Sequence, residues 1–309
     1  MVTVIILTHN PGDSLSQLLE QINQQTLKPL EILIVDSDSS DNTADIASGY
    51  ECKFISINHD TFDHGETRTY AVKQTDSNII VFLTQDVSLE NSEALEKLIV
   101  PLQEKGVVAV FGRQKAKPDD TIFAKHLRLF NYPEISYQRR LSDIQEFGIK
   151  TAFFSNSFSA YRRSILNQID YFKSGLIFGE DTFAAAKILL SGKIIAYQAE
   201  AVAIHSHNYS YRQDFRRYFD MGIFHENEKW LLDTFGKAEG QGLRYLFSEL
   251  SFIVGERRFL SLPSSVIRSI FKYSGYYLGR KHKYLPMSLC RNFSMNKKWW
   301  DKPGNLNES

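Results

Sequence analysis

An α/β fold built on a mostly parallel, twisted sheet with helices on both faces is what this chain predicts, on three observations. Short β-branched apolar runs alternate with stretches of helical periodicity in the order strand, helix, strand, helix. The apolar runs are continuous, as in strands covered on both faces. Polar residues follow directly on three of these runs, where an open α/β sheet gathers its ligands. Composition agrees: of 309 residues 43% are hydrophobic, with 22 Phe and 15 Tyr, enough for a sizeable core and too many for a disordered or low-complexity chain.

Val2 to Leu7 is the first strand, and it ends in the turn-prone Asn10-Pro11-Gly12-Asp13. Leu15, Leu18, Leu19 and Ile22 then stand at i, i+3, i+4 and i+7, one stripe of an amphipathic helix. Glu31 to Val35 is a second strand, followed by the polar run Asp36 to Thr43 and a short helix closing near Gly49. Lys53 to Ile57 reads as a third strand and Asn78 to Leu83 as a fourth. Leu95, Leu98, Ile99 and Leu102 mark a helical face before the strand Val107 to Phe111. Further on, Asp181 to Ser191 reads as a helix with Gly192 after it, and Ala201 to Ile204 as a short apolar segment. From Tyr211 the pattern turns helical, with Phe215, Tyr218, Phe219 and Gly222 on one face.

Lys plus Arg number 36 and Asp plus Glu 36, and this zero balance argues against a general nucleic-acid binder. The neutral total hides a polarity, because residues 257–302 hold 11 basic and one acidic residue, net +10, and the remainder carries −10. Interleaved Phe259, Phe271, Tyr273, Tyr276, Tyr277, Trp299 and Trp300 make this segment a candidate for contact with an anionic membrane surface; a helical cap and an oligomer interface are the alternatives. Cys52 and Cys290 are too few for a disulfide framework or a Cys-based zinc site. No basic segment precedes the first apolar run, and no apolar run approaches the roughly 18 to 20 residues that cross a bilayer. The expected location is cytoplasmic, or peripheral at the inner face of the cell membrane.

The strand ends offer Thr8, His9 and Asn10, then Asp36 to Asp41, then Thr84-Gln85-Asp86. No Gly-x-Gly-x-x-Gly follows the first strand and no Walker motif occurs, which disfavours a dinucleotide enzyme or a P-loop nucleotidase. A nucleotide diphosphate bound here would therefore need a cation and basic side chains to neutralise it. Asp41, Asn42 and Thr43 also suit a helix cap, as Glu180 and Asp181 suit a helix start. His205 and His207 alternate after an apolar segment, so an extended chain turns both to one side.

Thr8-His9-Asn10, Val35-Asp36-Ser37-Asp38-Ser39-Ser40-Asp41, Leu83-Thr84-Gln85-Asp86 and Gly179-Glu180-Asp181 resemble family 2 glycosyltransferases of the GT-A fold. Within that family, Phe62-Asp63-His64-Gly65-Glu66-Thr67-Arg68, Phe111-Gly112-Arg113-Gln114 and His205-Ser206-His207-Asn208-Tyr209-Ser210 are similar to bacterial rhamnosyltransferases that use dTDP-rhamnose in surface polysaccharide synthesis. The similarity runs in order from about residue 1 to about residue 225.

The resemblance implies a Rossmann-like catalytic domain over 1–210, with a nucleotide-sugar half to about 115 and an acceptor half over 116–210; the residue pattern adds a helical basic-aromatic region over 211–309. It implies an inverting glycosyltransferase acting on a dTDP- or UDP-sugar and a saccharide or lipid-linked saccharide acceptor. Asp36 would take the pyrimidine N3–H, with Thr8, Asn10, Ser39 and Gln85 around the donor. Arg68 would meet the phosphates, and Arg113 and Gln114 the donor sugar or diphosphate. Asp86 would ligate Mg²⁺ or Mn²⁺, with His205 completing the shell. Asp181 would be the base and Glu180 would position the acceptor or tune its neighbour, with Asn156 and Phe158 shaping the acceptor side.

Two residues depart from the family pattern. Thr84 replaces the usual first Asp of its Asp-x-Asp motif, and Thr69 stands where Asn often follows Arg68. The rival readings are a sugar nucleotidyltransferase, a glycosidase using paired carboxylates, and a non-catalytic carbohydrate-binding scaffold.

Overall fold

The structure is a computed structural model and describes residues 1–236 and 240–302. The end of the expected C-terminal region, 303–309, lies outside the described residues. The first part of the chain alternates as expected: β1 (Val2–Thr8), α1 (Asp13–Asn23), β2 (Glu31–Asp36), α2 (Thr43–Gly49), β3 (Lys53–Ser56), α3 (His64–Lys73) and β4 (Ile79–Thr84). These strands pair in parallel in the order β3-β2-β1-β4. Leu15, Leu18, Leu19 and Ile22 are all buried, so the stripe on α1 is the face that packs on the sheet.

The second part is mixed. It comprises β5 (Ser88–Leu89), α4 (Ala94–Ile99), β6 (Val107–Lys115), α5 (Ile122–Asn131), β7 (Tyr137–Arg139), α6 (Ile144–Phe147), β8 (Phe158–Arg162), α7 (Arg163–Gln168), α8 (Glu180–Leu190) and β9 (Ile194–Ile204). Strand β8 lies between β4 and β6 and runs antiparallel to both, while β6 and β9 are parallel. The reversal matters because an antiparallel strand begins where its parallel neighbours end. It sets Asn156 and Ser157 against the end of β4, where the Thr84 amide donates to Ser157 O at 3.2 Å. The chain then turns helical: α9 (Tyr211–Asn227), α10 (Lys229–Phe235), α11 (Gln241–Gly255), α12 (Leu262–Arg280) and α13 (Met287–Phe293). Among the described residues no helix is long and apolar enough to cross a membrane.

Alternation along the strands divides the core between the two faces of the sheet. Val4, Ile6, Ile34, Val81 and Leu83 pack with the apolar sides of α1 and α4, whereas Ile5, Leu33, Val35, Phe82 and Phe111 pack with α8 and the aromatic cluster around Tyr161 and Tyr197. Continuous apolar strands follow from this double cover.

Gly179 precedes α8 with φ +81°, in the left-handed region, and a Cβ there would lie 2.9 Å from Phe224 Cε1. Its residue type thus fixes how α8 starts and where Glu180 and Asp181 stand. Gly179→Ala is expected to lower the unfolding free energy by about 1 to 3 kcal/mol, measured by urea denaturation.

Candidate active site

The ends of β1 and β2 form a polar shelf around Asp36. Thr8 Oγ1 donates to Asp36 Oδ1 at 2.7 Å, and Ser39 donates twice, from Oγ to Oδ1 at 2.6 Å and from its amide to Oδ2 at 2.8 Å. The Asn10 amide donates to Ser39 Oγ at 2.7 Å, and Asn10 Oδ1 accepts from the Ser40 amide at 2.8 Å. Gln85 holds His9 by a reciprocal pair, accepting from its amide at 2.8 Å and donating to its carbonyl at 3.1 Å. The His9 ring stacks on His59 with centroids 4.0 Å apart, and His59 Nδ1 lies 3.0 Å from Ser37 Oγ.

Next to this shelf opens a cavity of about 840 Å³. His59 lines it and joins the two, whereas Asp36 itself stands back on the shelf. Asp86, Asp181 and Glu180 share its wall, while Asp36 does not line it and adjoins it through His59. The cavity extends beyond the expected catalytic stretch, because Asp214, Arg217 and Asp220 of α9 and Lys272 of α12 also line it.

At the end of β4, Asp86 Oδ2 lies 3.3 Å from His205 Nε2 and 3.6 Å from His207 Nε2. Ligand atoms of all three come within 4.8 Å of one another, as a shared cation requires. Burial opposes the Asp86 charge, but the His205 hydrogen bond and the nearby imidazoles hold its carboxyl well below the usual range. Burial, then the neighbouring His205, pushes His207 down to about 4, which leaves its ring neutral and able to offer a lone pair at neutral pH. Gln114 Oε1 lies 2.9 Å from His205 Nδ1; a proton donated from that nitrogen leaves Nε2 free toward Asp86. One carboxylate and two imidazoles fit a divalent transition ion such as Mn²⁺ better than Mg²⁺, which prefers oxygen alone.

The same cavity is lined by the start of α8 with its two carboxylates. Glu180 is buried and paired with Arg68, whose Nη1 lies 3.0 Å from its Oε1. Burial works against the Glu180 charge, but the Arg68 guanidinium, His64 and the hydrogen bonds to the carboxylate together keep it below its ordinary value. Burial, then the charge of Glu180, pushes Asp181 the other way, up to about 7. Asn156 joins the pair: its amide donates to Asp181 Oδ2 at 3.3 Å and its side-chain nitrogen to Glu180 Oε1 at 3.4 Å. Tyr161 OH in turn donates to Asn156 Oδ1 at 2.8 Å. A carboxyl poised near neutrality beside one kept ionised is the environment of a general base.

Two expected contacts need correction. Phe158 does not shape the acceptor side: it is fully buried in the sheet core against Leu83 and Val110, because alternation on β8 turns it away from Ser159 and Tyr161. Arg113 does not face the donor cavity: its Nη2 pairs with Glu134 Oε1 at 2.7 Å beside a smaller pocket, while the next residue, Gln114, reaches His205. Arg68 lines the cavity, but its charge is committed to Glu180.

The motif around His64 has a packing explanation. Asp63 Oδ1 caps α3 by accepting from the Gly65 and Glu66 amides at 2.9 Å, and a Cβ on Gly65 would fall 2.0 Å from Lys173 O. The contributions of α9 and α12 to the wall had no local signal, since helical periodicity does not tell which cleft a helix closes.

In this α/β chain, Asp86, His205 and His207, a set able to hold a divalent ion, line the same cavity as Asp181, a carboxylate of raised pKa. The family model for glycosyl transferase family 2 matches residues 3–170. The chain is 41% identical over 302 residues to the O-antigen chain rhamnosyltransferase RfbN of Salmonella typhimurium, covering 97% of this chain and 96% of that protein. It is also 41% identical over 301 residues to the O-antigen chain rhamnosyltransferase WbaN of Salmonella anatum, covering 97% and 95%. The chain belongs to glycosyl transferase family 2 and is a glycosyltransferase.

Solved structures share the GT-A-like fold. S. aureus TarS in complex with UDP aligns with a TM-score of 0.55 at 17% identity, over 92% of this chain and 91% of that one. The mannosyltransferase PcManGT from Pyrobaculum calidifontis, in complex with GDP-Man and Mn²⁺, aligns with a TM-score of 0.56 at 18% identity, over 100% and 87%.

Arg68→Met is expected to strand the Glu180 charge and cost about 3 to 5 kcal/mol of stability, read by urea denaturation, because removing one partner of a buried pair leaves the other uncompensated. Gln114→Ala should weaken Mn²⁺ binding by about 10- to 100-fold in calorimetric titration while leaving the fold intact.

Proposed function

We propose that this glycosyltransferase moves L-rhamnose from dTDP-rhamnose to a lipid-linked saccharide acceptor in the synthesis of surface O-antigen polysaccharide, with inversion at the anomeric carbon. That Asp181 lines the same cavity as the Asp86, His205 and His207 cluster carries the reaction type. The two rhamnosyltransferase relatives, matched along nearly the whole chain, support the sugar.

In this reading the donor's base lies on the shelf, where Asp36 accepts from N3–H and Thr8, Asn10 and Ser39 hold that carboxylate and the chain around it in place. The diphosphate points to the cluster at the end of β4. Asp86, His205 and His207 would hold a divalent cation, which supplies charge neutralisation to the departing diphosphate. Residues to about 115 serve the donor, and residues 116–210, together with α9 and α12, enclose the acceptor.

Asp181 takes the proton from the acceptor hydroxyl as that oxygen bonds to the anomeric carbon and the bond from this carbon to the phosphate oxygen breaks. Glu180 stays ionised on Arg68, so it is a positioning residue that raises the proton affinity of Asp181. With Glu180 so engaged, a single displacement suits the site, and its outcome is inversion.

The test is rhamnosyl transfer by purified protein, following the anomeric configuration of the product by NMR, with UDP-sugars as competing donors. Asp181→Asn is expected to retain dTDP-rhamnose binding and lose turnover by about 10²- to 10⁴-fold. Because the base must be deprotonated to act, kcat/KM of the wild type should rise about tenfold per pH unit below about 7 and level off above it, and this limb should vanish in the Asn variant. Undiminished turnover by Asp181→Asn would defeat the assignment.

A further inference from the structure

Helix α12 is amphipathic in the reverse sense. A helix on a soluble domain buries its apolar stripe and shows its polar one. On α12 the buried residues are Ser265, Lys272, Gly275 and Gly279, while Val266, Ile267, Ile270, Tyr273 and Tyr277 are exposed. The cause is a glycine seam with α9: a Cβ on Gly275 would lie 2.2 Å from Phe215 O, and one on Gly279 2.1 Å from Phe219 O. Backbone meets backbone there, and the large side chains are left on the outer face.

Helix α11 buries Tyr245, Glu249 and Ile253 yet also leaves Leu243, Phe247 and Val254 exposed. The link between the two helices carries Phe259 and Leu260, the latter 99% exposed. Exposed large apolar side chains on two helices that contact each other, and on the link between them, fit a binding face.

Charge identifies what covers it. Arg244, Arg257, Arg258, Lys281 and Lys283 are exposed on α11 and at the two ends of α12, and none takes part in an ion pair among the described residues. Glu256 is the single acid between Ser251 and Trp300. A second copy would bring like charge against like, whereas an anionic bilayer surface accepts both the aromatic and aliphatic side chains and the cations beside them.

We propose that α11, α12 and the Phe259–Leu260 link lay this enzyme on an anionic lipid surface, with the cleft directly above it. The inner face of the same α12 sends Lys272 into the wall of the cavity. One helix diameter, roughly 10 Å, thus separates the lipid-facing side chains from the space where an acceptor is held. The inference rests on the proposed reading of a lipid-linked acceptor and supplies its geometry.

The test is co-sedimentation of the full chain with vesicles of phosphatidylcholine alone or of an equal mixture of phosphatidylcholine and phosphatidylglycerol, with no donor or acceptor present. The wild type should pellet at least about tenfold more with the anionic vesicles, and less as salt rises. Ile267→Asp with Ile270→Asp and Tyr273→Asp should lose that binding while keeping the wild-type thermal unfolding profile and transfer to a soluble acceptor. Arg257→Glu with Arg258→Glu should weaken it without an added apolar defect. Asp181→Asn should pellet like the wild type, so failure of the catalytic assignment and failure of the docking face are read separately. Equal recovery from both vesicle types, or unchanged binding by the triple variant, would overturn the proposal. So would a dimer in size-exclusion chromatography that the triple variant dissociates, since the face would then be covered by a second copy.

Discussion

The buried pair of Arg68 and Glu180 is the interaction on which the site hangs. It links α3, from the first part of the chain, to the start of α8, from the second, across the cavity floor. Taking two charges out of water is costly, and only close geometry with further hydrogen bonds offsets it. Asn156 supplies one such bond to Glu180 and another to Asp181, and β8 supports Asn156 through Ser159 and Tyr161. The ion pair has an electrical effect as well as a mechanical one. Keeping Glu180 ionised places a negative charge beside Asp181, and this charge, added to burial, keeps Asp181 from ionising as an ordinary aspartate would.

Much of this architecture is legible in the sequence because it rests on local signals. The strand and helix from Val2 to Ile22, the polar tips at Asp36 and Asp86, and the helix beginning at Glu180 are read from periodicity and from where polar residues interrupt it. The direction of β8 is not, since a segment such as Phe158-Ser-Ala-Tyr-Arg162 looks alike whichever way it runs. Nor is the side to which its residues point: Phe158 lies in the core, while Ser159 and Tyr161 on the other face hold Asn156 beside the carboxylates. Arg113 and Gln114 show the same ambiguity, adjacent in sequence and separated by the pleat.

The residues proposed to hold the metal combine both kinds of information. The spacing of His205 and His207 indicates that they share a side, but only β9, pairing with β5 and β6, brings them to Asp86. Thr84 removes one carboxylate from the usual pattern, and the second imidazole places another ligand atom near the remaining one. The donor set is correspondingly richer in nitrogen, which favours softer divalent ions over the hard ones that oxygen cages select.

The shelf around Asp36 has a consequence for which nucleobase it can accommodate. A carboxylate offers about four lone-pair directions. Thr8 and the Ser39 hydroxyl occupy both on Oδ1, and the Ser39 amide occupies one on Oδ2, so a single acceptor direction remains. Thymine or uracil, with one imide proton, matches that vacancy, whereas guanine presents two adjacent N–H groups and would leave one of them unanswered. On the proposed donor reading, selection between pyrimidine and guanine donors would come down to how many protons one oxygen can still receive.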